Sequence, residues 1–424
     1  MGLNIKDTNQ KRLVIIGGGF AGIELAKRLN GKDIQVVILD KHNYHTFQPL
    51  LYQVATAGLE PGSIAYPLRK LFQKSDNSIF RMANVEKILT EENIILTNIG
   101  KLSYDYLVIA TGSKTNYYSL EKEKEEMMAM KSIPQALNLR SLVLQNFENA
   151  LLTNDLEYRK ELMNVLIVGG GPTGVELAGA IAEMKRYVLP NDYPELDVSK
   201  MEIHLFEAAP RVLAVMSEEA SAKSLKYLRD LGVNVHLKTR LNNFENNQVV
   251  LPNETVIRAE TLIWTAGVKG ALIDGIPESS LAGNRLKVNV HNQIEGFENI
   301  FALGDVAAMI TEDTPRGHPM VAPVAIQQGY LLSKNIFKLI ANQPMKPFAY
   351  KDKGSMATIG RNRAVVDLSF YKFQGLFAWF VWMFVHIMSL VGFRNKTSVF
   401  INWVYSYFTY NRALRLIIRP FRRN

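Results

Sequence analysis

Two glycine-rich segments, each followed by an acidic residue, are the parts of this sequence best suited to chemistry. In the first, Gly17, Gly19 and Gly22 form a GxGxxG pattern, and Asp40 ends the apolar run IQVVILD. Such a pattern permits a tight turn, lets the backbone approach a pyrophosphate, and allows a helix to pack closely on a strand. Free N–H groups at the start of that helix bind phosphates, and a carboxylate placed like Asp40 accepts from ribose hydroxyls. The segment therefore predicts a dinucleotide site.

The second segment repeats the pattern with Gly169, Gly171 and Gly174, and Glu207 ends the following apolar run MEIHLFE. A carboxylate there binds a ribose 2′-hydroxyl and repels a 2′-phosphate, which predicts NADH rather than NADPH. Arg211 is close by in the sequence and could weaken this preference. Two sites imply two dinucleotides. NAD(P)H with FAD is the pairing that makes chemical sense, because hydride passes between nicotinamide and flavin, and the flavin then releases electrons singly or in pairs.

Both glycine patterns need the same supporting elements. Each follows a short apolar run, RLVII or VLIV, and precedes a segment with helical periodicity. The sequence therefore predicts strand, tight turn and helix twice. Further apolar runs such as YLVIA, TLIW and NIFAL alternate with helical segments such as SEEASAKSLKYLRDLG. This alternation predicts an α/β fold with parallel sheets, organised as two Rossmann-like dinucleotide-binding domains.

Composition narrows the possible chemistry. The chain has 424 residues and a formal net charge of +9, which favours an acidic partner. It has no cysteine, which excludes disulfide, thiolate and iron–sulfur chemistry. The segment MGLNIKDTNQKR is polar and lacks the apolar core of a signal peptide, so we expect the protein to stay in the compartment where it is made. We do not expect nucleic acid as a partner, because basic clusters interleaved with base-reading elements are missing. We also expect no bound metal.

The C-terminal region is apolar and then basic. Leu376 to Phe393 would form a helix of about 27 Å, at the low edge of a membrane-spanning length. Its tryptophans fall on one less apolar face, as suits a membrane interface, and the later segment RALRLIIRPFRR is typical of a helix that binds anionic lipid. A lone span would put these arginines across the membrane from the cytoplasm, so we favour a monotopic anchor or a re-entrant pair. The predicted membrane contacts are Trp379, Trp382, Arg412, Arg415 and Arg419.

Several motifs carry a resemblance to known families. ATG (from Ala110), TAG (from Thr265) and FALGD (ending at Asp305) resemble the markers of flavoprotein reductases with two dinucleotide-binding domains. The strings HNYHTFQPLLYQVATAGL, VGGGPTGVELAG and VAPVAIQQG resemble type II NADH dehydrogenases, the single-subunit, non-pumping NADH:quinone oxidoreductases. The resemblance implies an FAD-binding domain in two parts (1–117 and 291–368), an NADH-binding domain (118–290) and C-terminal membrane-anchoring helices (369–424).

The resemblance also implies roles for individual residues. Asp305 would bind the ribityl–phosphate part of FAD, and Glu176 and Gln327 would take part in catalysis between nicotinamide and quinone. Pro323 stands where the family motif AQxAxQ has its first glutamine, a departure that bears on the quinone contacts. The expected quinone contacts are Gln53, Pro323 and Gln327. The expected FAD contacts are Gly17, Gly19, Phe20, Ala21, Gly22, Asp40, Thr46, Gln48, Pro49, Val85, Ala110, Thr111, Gly112, Gly304, Asp305, Pro323 and Val324. The expected NADH contacts are Gly169, Gly171, Pro172, Thr173, Gly174, Glu176, Glu207, Ala266 and Gly267.

Three functions are compatible with these residues. They are a membrane-surface NADH:quinone oxidoreductase, a soluble reductase of a small redox protein, and a flavin-bound signalling or assembly module. The apolar and basic C-terminus favours the first, because a soluble reductase has no need of it. We therefore expect hydride transfer from NADH to FAD and then two-electron reduction of a membrane quinone, without proton pumping. We further expect peripheral binding to anionic lipid on the cytoplasmic face of the inner membrane and, from the resemblance, a homodimer.

Overall fold

The secondary structure is that of an α/β protein. A computed structural model describes residues 3–241, 243–251, 253–409, 414–418 and 421. The strands are β1 (Arg12–Ile16), β2 (Gln35–Asp40), β3 (Tyr44–Thr46), β4 (Ala65–Pro67), β5 (Ser78–Met82), β6 (Val85–Leu89), β7 (Ile94–Thr97), β8 (Gly100–Ser103), β9 (Tyr106–Ile109), β10 (Ser113–Thr115), β11 (Met128–Ala129), β12 (Val165–Val168), β13 (Ile203–Phe206), β14 (Val233–His236), β15 (Gln248–Val250), β16 (Val256–Arg258), β17 (Thr261–Trp264), β18 (Val268–Gly270), β19 (Leu281–Ala282), β20 (Arg285–Val288), β21 (Ile300–Ala302), β22 (Ala307–Met309), β23 (Ser355–Thr358), β24 (Ala364–Asp367) and β25 (Lys372–Gly375). The helices are α1 (Phe20–Leu29), α2 (Leu51–Ala55), α3 (Pro61–Ile64), α4 (Leu68–Leu71), α5 (Ile133–Leu152), α6 (Leu156–Met163), α7 (Pro172–Tyr187), α8 (Leu189–Asp192), α9 (Glu218–Asp230), α10 (Ala322–Ile340), α11 (Leu376–Ser389) and α12 (Phe393–Thr409).

The chain divides into two units, and unit 1 contains the first glycine pattern. It comprises Met1–His45, Tyr66–Lys114 and Val268–Asp352. Its central sheet has the order β21-β9-β1-β2-β5, and every neighbouring pair is parallel. Alternate residues of β1 point to opposite faces of the sheet, as the strand period requires. Leu13 and Ile15 pack in one apolar core, which includes residues of α1 and α10, and Val14 and Ile16 pack in the other.

Unit 2 repeats this arrangement around the second glycine pattern. It comprises Thr46–Ala65, Thr115–Gly267 and Lys353–Asn424. Its central sheet has the order β11-β17-β12-β13-β14, again with every neighbouring pair parallel. In each unit the strand before the glycines, β1 or β12, lies at the centre of the sheet. On one side it pairs with the strand that leads to the acidic residue: β2 ends at Asp40, and β13 ends one residue before Glu207. The predicted α/β fold with two Rossmann-like sheets is confirmed.

The units differ from the predicted domain bounds in four places. Residues 268–290 belong to unit 1, and residues 46–65, 115–117 and 353–368 belong to unit 2. The last difference has a clear cause, because β23, β24 and β25 form an antiparallel sheet whose strands contact α7, α9 and α11, all of which lie in unit 2. The C-terminal helices α11 and α12 follow this sheet directly, so they continue the same unit.

Candidate active site

The first glycine pattern forms a loop that leaves room for a diphosphate. It joins β1 to α1, and Gly19 caps the helix without a side-chain hydrogen bond. A Cβ atom at Gly17 would lie 2.3 Å from the carbonyl oxygen of Ala110, and one at Gly22 would lie 2.0 Å from that of Gly17. At Gly19 the nearest atom would be 3.9 Å away. Two glycines are therefore required by close packing, while the space at Gly19, at a helix N-terminus with free N–H groups, fits the pyrophosphate of FAD.

Asp40 and a buried histidine hold this loop in unit 1. The Asp40 carboxylate accepts hydrogen bonds from the backbone N–H groups of Gly18 (2.7 Å) and His42 (2.7 Å). His45 donates from Nδ1 to the carbonyl oxygen of Gly18 at 3.0 Å. Burial lowers the pKa of His45 to about 4, so the ring is neutral and carries its proton on Nδ1. Sequence reasoning did not single out His45, although it lies within the family-specific string that begins at His42.

The second loop, in unit 2, has the same construction. A Cβ atom at Gly169 would lie 2.6 Å from Cα of Ala266, and one at Gly174 would lie 1.9 Å from the carbonyl oxygen of Gly169. At Gly171 no atom would lie within 4 Å. Gly171 caps α7 without a side-chain hydrogen bond, so the N–H groups of the first turn are available to a dinucleotide.

Glu207 occupies in unit 2 the place that Asp40 has in unit 1. Its carboxylate accepts from the N–H groups of Gly170 (2.6 Å) and Ala209 (2.7 Å). The guanidinium of Arg211 donates to the carbonyl oxygens of Ala214 (2.9 Å) and Met216 (2.8 Å). The carboxylate of Glu207 is thus bonded to the glycine loop itself, as the prediction of NADH requires, whereas the guanidinium of Arg211 is held by backbone carbonyls of the following turn.

Other expected FAD contacts lie together in unit 1. Asp305 accepts from the hydroxyl of Ser113 at 2.6 Å, and Thr111 donates to the carbonyl oxygen of Ala271 at 2.7 Å. The N–H of Gly304 donates to the side-chain oxygen of Gln328 at 2.7 Å. The buried Gln328, which was not predicted as a site residue, thus fixes the GD turn. Further expected contacts in this unit are Phe20 and Ala21 in the first turn of α1, Val85 at the start of β6, and Pro323 and Val324 in the first turn of α10.

Three expected FAD contacts lie in unit 2, and the expected catalytic residue Gln327 binds backbone groups in unit 1. Thr46, Gln48 and Pro49 belong to unit 2, and their contacts with FAD stay predictions. In unit 1, the Gln327 amide donates to the carbonyl oxygen of Lys351 (2.9 Å) and accepts from its N–H (3.0 Å). Each polar atom of Gln327 thus binds the backbone once and keeps one further hydrogen-bonding position, because a glutamine amide has two N–H groups and its oxygen has two lone pairs. Its role with quinone stays a prediction.

Glu176 is buried beside a cavity within unit 2. It lies in α7, and its Oε1 accepts from the N–H of Thr358 at 3.3 Å. Burial raises the pKa of Glu176 from its ordinary value of 4.5 to about 8, while the N–H groups of Thr358 and Trp382 act in the opposite direction. The carboxyl group is therefore mostly protonated at neutral pH. The cavity encloses about 90 Å³ and is lined by residues of α2, α7, α11, α12 and the turn after β23.

Gln53, an expected quinone contact, has a fixed orientation in the wall of this cavity. The indole N–H of Trp403 donates to its Oε1 at 2.7 Å, and its Nε2 donates to the hydroxyl of Tyr52 at 2.9 Å. An indole N–H can only donate, so it holds the amide with the oxygen toward Trp403. Sequence reasoning missed Trp403, because it lies 350 positions from Gln53 and no local pattern links the two.

Of the two tryptophans of α11 that were expected to contact the membrane, Trp382 is placed differently, while Trp379 is half-buried and its membrane contact stays a prediction. Trp382 is only 1% exposed and stacks on His386, with ring centroids 4.1 Å apart, so it is not on an interfacial face. Arg415 lies in the non-helical residues 414–418, and its guanidinium pairs with Asp192 (Nη2 to Oδ1, 3.0 Å) instead of facing lipid as part of a helix. Arg412 and Arg419 lie outside the described residues.

An exposed apolar face remains on these helices. On α11 it follows the spacing of one helix side and includes Phe377 (67% exposed), Phe380, Phe384 and Met388. On α12 the exposed apolar side chains are Phe393, Phe400, Ile401, Val404, Tyr405 and Phe408. In the part of the chain that the structure describes, no helix is both long enough and apolar enough to cross a membrane.

Two parallel-sheet domains, each with a glycine loop and a carboxylate, define a flavoprotein oxidoreductase with two dinucleotide sites. In agreement, residues 11–329 match the family model for pyridine nucleotide-disulphide oxidoreductases, and residues 353–410 match that of the NDH2 C-terminal domain. The chain belongs to the family of type II NADH:quinone oxidoreductases.

Its similarity to known members is extensive. It is 34% identical over 418 residues to the type II NADH:quinone oxidoreductase Ndh of Mycobacterium tuberculosis, covering 95% of this chain and 89% of that protein. It is 31% identical over 416 residues to that of Haemophilus influenzae, covering 89% and 93%. Its fold is similar to NDH2 from Plasmodium falciparum in complex with NADH (TM-score 0.89, 21% identity, 97% of this chain and 100% of that chain). A sulfide:quinone oxidoreductase from Aquifex aeolicus shares the fold less closely (TM-score 0.70, 20% identity, 94% and 95%).

Proposed function

We propose that this chain oxidises NADH and reduces a membrane quinone by way of bound FAD. The observation that carries the proposal is the combination of two dinucleotide loops with a buried, protonated carboxyl group at a cavity. The loop at Gly19 with Asp40 fits FAD, and the loop at Gly171 with Glu207 fits NADH. When bound, FAD supplies the ability to accept a hydride from NADH and to release its electrons to a quinone.

The residues of the chain then have distinct tasks. The free N–H groups at the start of α1 and α7 bind diphosphates, because a helix N-terminus carries partial positive charge. Glu207 accepts from the adenosine ribose and repels a 2′-phosphate, which selects NADH. His45 and Gln328 keep the FAD loop and the GD turn rigid through their hydrogen bonds to Gly18 and Gly304.

Glu176 supplies a proton to the quinone in this proposal. A quinone takes up two electrons and two protons to become a quinol. Hydride from NADH carries two electrons and one proton, so one more proton must come from the medium. The N–H of Thr358 occupies Oε1 of Glu176, which leaves the acid proton on Oε2. Glu176 gives that proton to a quinone oxygen and takes another from water.

We also infer that the protein binds peripherally to the membrane that holds its quinone. The exposed aromatic side chains of α11 and α12 support this, because contiguous apolar surface of this kind is uncommon on a protein that contacts only water. Exposed Lys372 and Arg394 lie in the same segment and favour anionic lipid. The cytoplasmic face is the proposed side, since NADH is found there. A homodimer is proposed from family membership alone.

Anaerobic titration of the purified protein tests the redox part. We expect flavin absorbance in the protein as isolated, bleaching by NADH but not by equimolar NADPH, and recovery of absorbance on addition of a quinone. A protein without flavin, or one that NADPH bleaches equally well, contradicts the proposal. A soluble reductase of a redox protein, the second candidate, is favoured if NADH bleaches the flavin and quinone does not restore it.

Membrane binding is tested by flotation with lipid vesicles. We expect the protein to float with vesicles that contain anionic lipid, less so at high salt, and to be released from membranes by alkaline carbonate. Protein that stays at the bottom of the gradient with every vesicle composition contradicts peripheral binding. Release by salt alone shows that charge, not the aromatic face, holds it.

A further inference from the structure

Trp382 has a buried hydrogen-bond donor without an acceptor. Its indole N–H has no hydrogen-bond partner among the described residues. In the same unit, the indole of Trp403 donates to Gln53 and that of Trp264 donates to the carbonyl oxygen of Asn116 at 2.8 Å. A buried donor left unpaired destabilises a folded protein, and the exceptions are often found where chemistry occurs. The isolated N–H of Trp382 therefore needs an explanation.

The surroundings of Trp382 prevent it from finding another acceptor by rotation. Its ring stacks on His386, with centroids 4.1 Å apart, and contacts the tilted ring of Trp403, with centroids 5.5 Å apart. Nδ1 of His386 donates to the carbonyl oxygen of Trp382 at 2.7 Å, since a carbonyl can only accept. Burial lowers the pKa of His386 to about 4, so this ring stays neutral and stacked. The indole N–H is thus held in one direction, and Trp382 lines the cavity of Glu176.

Glu176 is an acceptor within reach of the indole. The Trp382 N–H already lowers the pKa of Glu176 against the larger effect of burial, without forming a regular hydrogen bond. A protonated carboxyl group is a weak acceptor, and a carboxylate is a strong one. Hydrogen bonds of active sites are often long in the resting protein and shorten during the reaction.

We propose that Trp382 is a positioning residue for proton delivery: its indole N–H forms a hydrogen bond with the Glu176 carboxylate once Glu176 has given its proton to the quinone. The O–H bond of the Glu176 acid breaks and an O–H bond forms on a quinone oxygen, while the electrons come from NADH. The carboxylate that remains is stabilised by Trp382 until water returns a proton to it. This inference rests on the proposed function.

Other charged or titratable groups surround the same cavity. They are Glu183 on α7, Tyr52 on α2, Arg361 in the turn between β23 and β24, Tyr407 on α12 and, stacked on Trp382, His386 on α11. Arg361 donates from its guanidinium to the carbonyl oxygens of Ser406 and Tyr407 (3.0 Å each), and its N–H donates to Glu183. A Trp382→Phe substitution leaves all of these groups in place. A rise in the pKa of Glu176 in that variant is attributable to the missing N–H, because any water admitted by the smaller phenyl ring would lower this pKa.

The test compares Trp382→Phe with Trp379→Phe in the full-length, FAD-loaded protein. Trp379 is on the same helix and lines the same cavity, so its replacement removes an indole without removing the donor to Glu176. We expect Trp382→Phe to raise the pH midpoint of quinone reduction by about one pH unit and to lower kcat about tenfold at neutral pH, with little change in the KM for quinone. Trp379→Phe should leave the midpoint unchanged. Equal midpoints in the wild type and Trp382→Phe overturn the proposal.

Two spectroscopic readouts do not depend on turnover. Infrared difference spectra of the resting protein report the carboxylic acid C=O band, which the Glu176→Gln variant identifies. This band should persist to higher pH in Trp382→Phe than in the wild type. In wild-type protein labelled with ¹⁵N-tryptophan, one of the four indole N–H signals should titrate with Glu176 and stop titrating in Glu176→Gln. An indole signal that ignores the ionisation of Glu176 refutes the proposal, even if Trp382→Phe fails to fold.

Failure of quinone reduction and failure of the proposed role of Trp382 give different experimental results. If wild-type protein is bleached by NADH but reduces no quinone at any pH, the proposed function is wrong. If the wild type reduces quinone while Trp382→Phe keeps the same midpoint and the same infrared titration, the function stands and the role of Trp382 is wrong.

Discussion

Replacing the buried acid Glu176 by glutamine should stabilise the protein at neutral and alkaline pH while it impairs quinone reduction. Glutamine has nearly the same shape, still accepts from the N–H of Thr358 through its carbonyl oxygen, and never ionises. Its amide hydrogens can bind water in the cavity of about 90 Å³. Catalysis should suffer because the amide cannot deliver an acidic proton.

The size of the stabilisation follows from the pKa of Glu176, which is about 8 in the folded protein against an ordinary value of 4.5. Below pH 4.5 the carboxyl group is protonated in both states and has no effect on their balance. Between these values only the unfolded chain ionises, so the folded state loses about 1.4 kcal/mol for each pH unit. At pH 7 the loss is about 3 kcal/mol, and it levels off above the folded pKa. The glutamine variant avoids this loss.

Thermal unfolding at saturating FAD measures the difference. About 3 kcal/mol corresponds to a rise in Tm of about 7 °C for a cooperative unit of roughly 200 residues. The difference in Tm between Glu176→Gln and the wild type should be small at pH 5 and should widen as the pH rises to 8. Glu195→Gln, a change at an exposed carboxylate of the same unit, is the control and should show no such trend. A constant difference in Tm across this range would refute the view that Glu176 is held protonated by burial.

Three further outcomes test the loops and the apolar face. Gly171→Ala should keep its fold and flavin but raise the KM for NADH at least tenfold, because its Cβ enters open space, whereas Gly174→Ala should lower Tm, because its Cβ would lie 1.9 Å from a carbonyl oxygen. Glu207→Gln should raise the ratio of NADPH to NADH activity about tenfold, measured by steady-state kinetics, because a repelling charge is lost. Joint replacement of Phe380 and Phe384 by serine should reduce vesicle binding about tenfold or more in flotation, with unchanged Tm, because both side chains are exposed in the folded protein.

The dinucleotide loops could be predicted from sequence because their causes are local. Glycine spacing, the preceding apolar strand and the acid at the end of the next strand all lie within one βαβ unit. The structure adds that Asp40 and Glu207 each accept from the N–H of the middle glycine of their loop, Gly18 and Gly170. This shared detail follows from the parallel register, in which β1 pairs with β2 and β12 pairs with β13.

The cavity around Glu176 could not be predicted, because its walls come from distant parts of the chain. The bond between Trp403 and Gln53 depends on how α12 packs on the segment 46–65, where Asn395 donates to the carbonyl oxygen of Ala65 at 2.8 Å and Ser398 shares a hydrogen bond with Ser63 at 3.1 Å. From the sequence, this segment was predicted only as part of the C-terminal membrane-anchoring helices. The partners of its polar residues could not be predicted, since nothing in a single sequence indicates which surface a helix will meet.

Helix α11 shows why an apolar segment is poor evidence for a membrane span. Ala378 and Trp382 are buried within unit 2, whereas Phe377, Phe380 and Phe384 on the other side are half or more exposed. A helix surrounded by lipid has no protein side, so its apolar residues need not divide in this way. On the inner side of α11, Trp382 stacks on His386 of the same helix and lines the cavity of Glu176, and the outer side is available to lipid. One short helix can therefore bring the proposed quinone site and the proposed membrane surface within a single helix diameter, about 10 Å, of each other without crossing the bilayer.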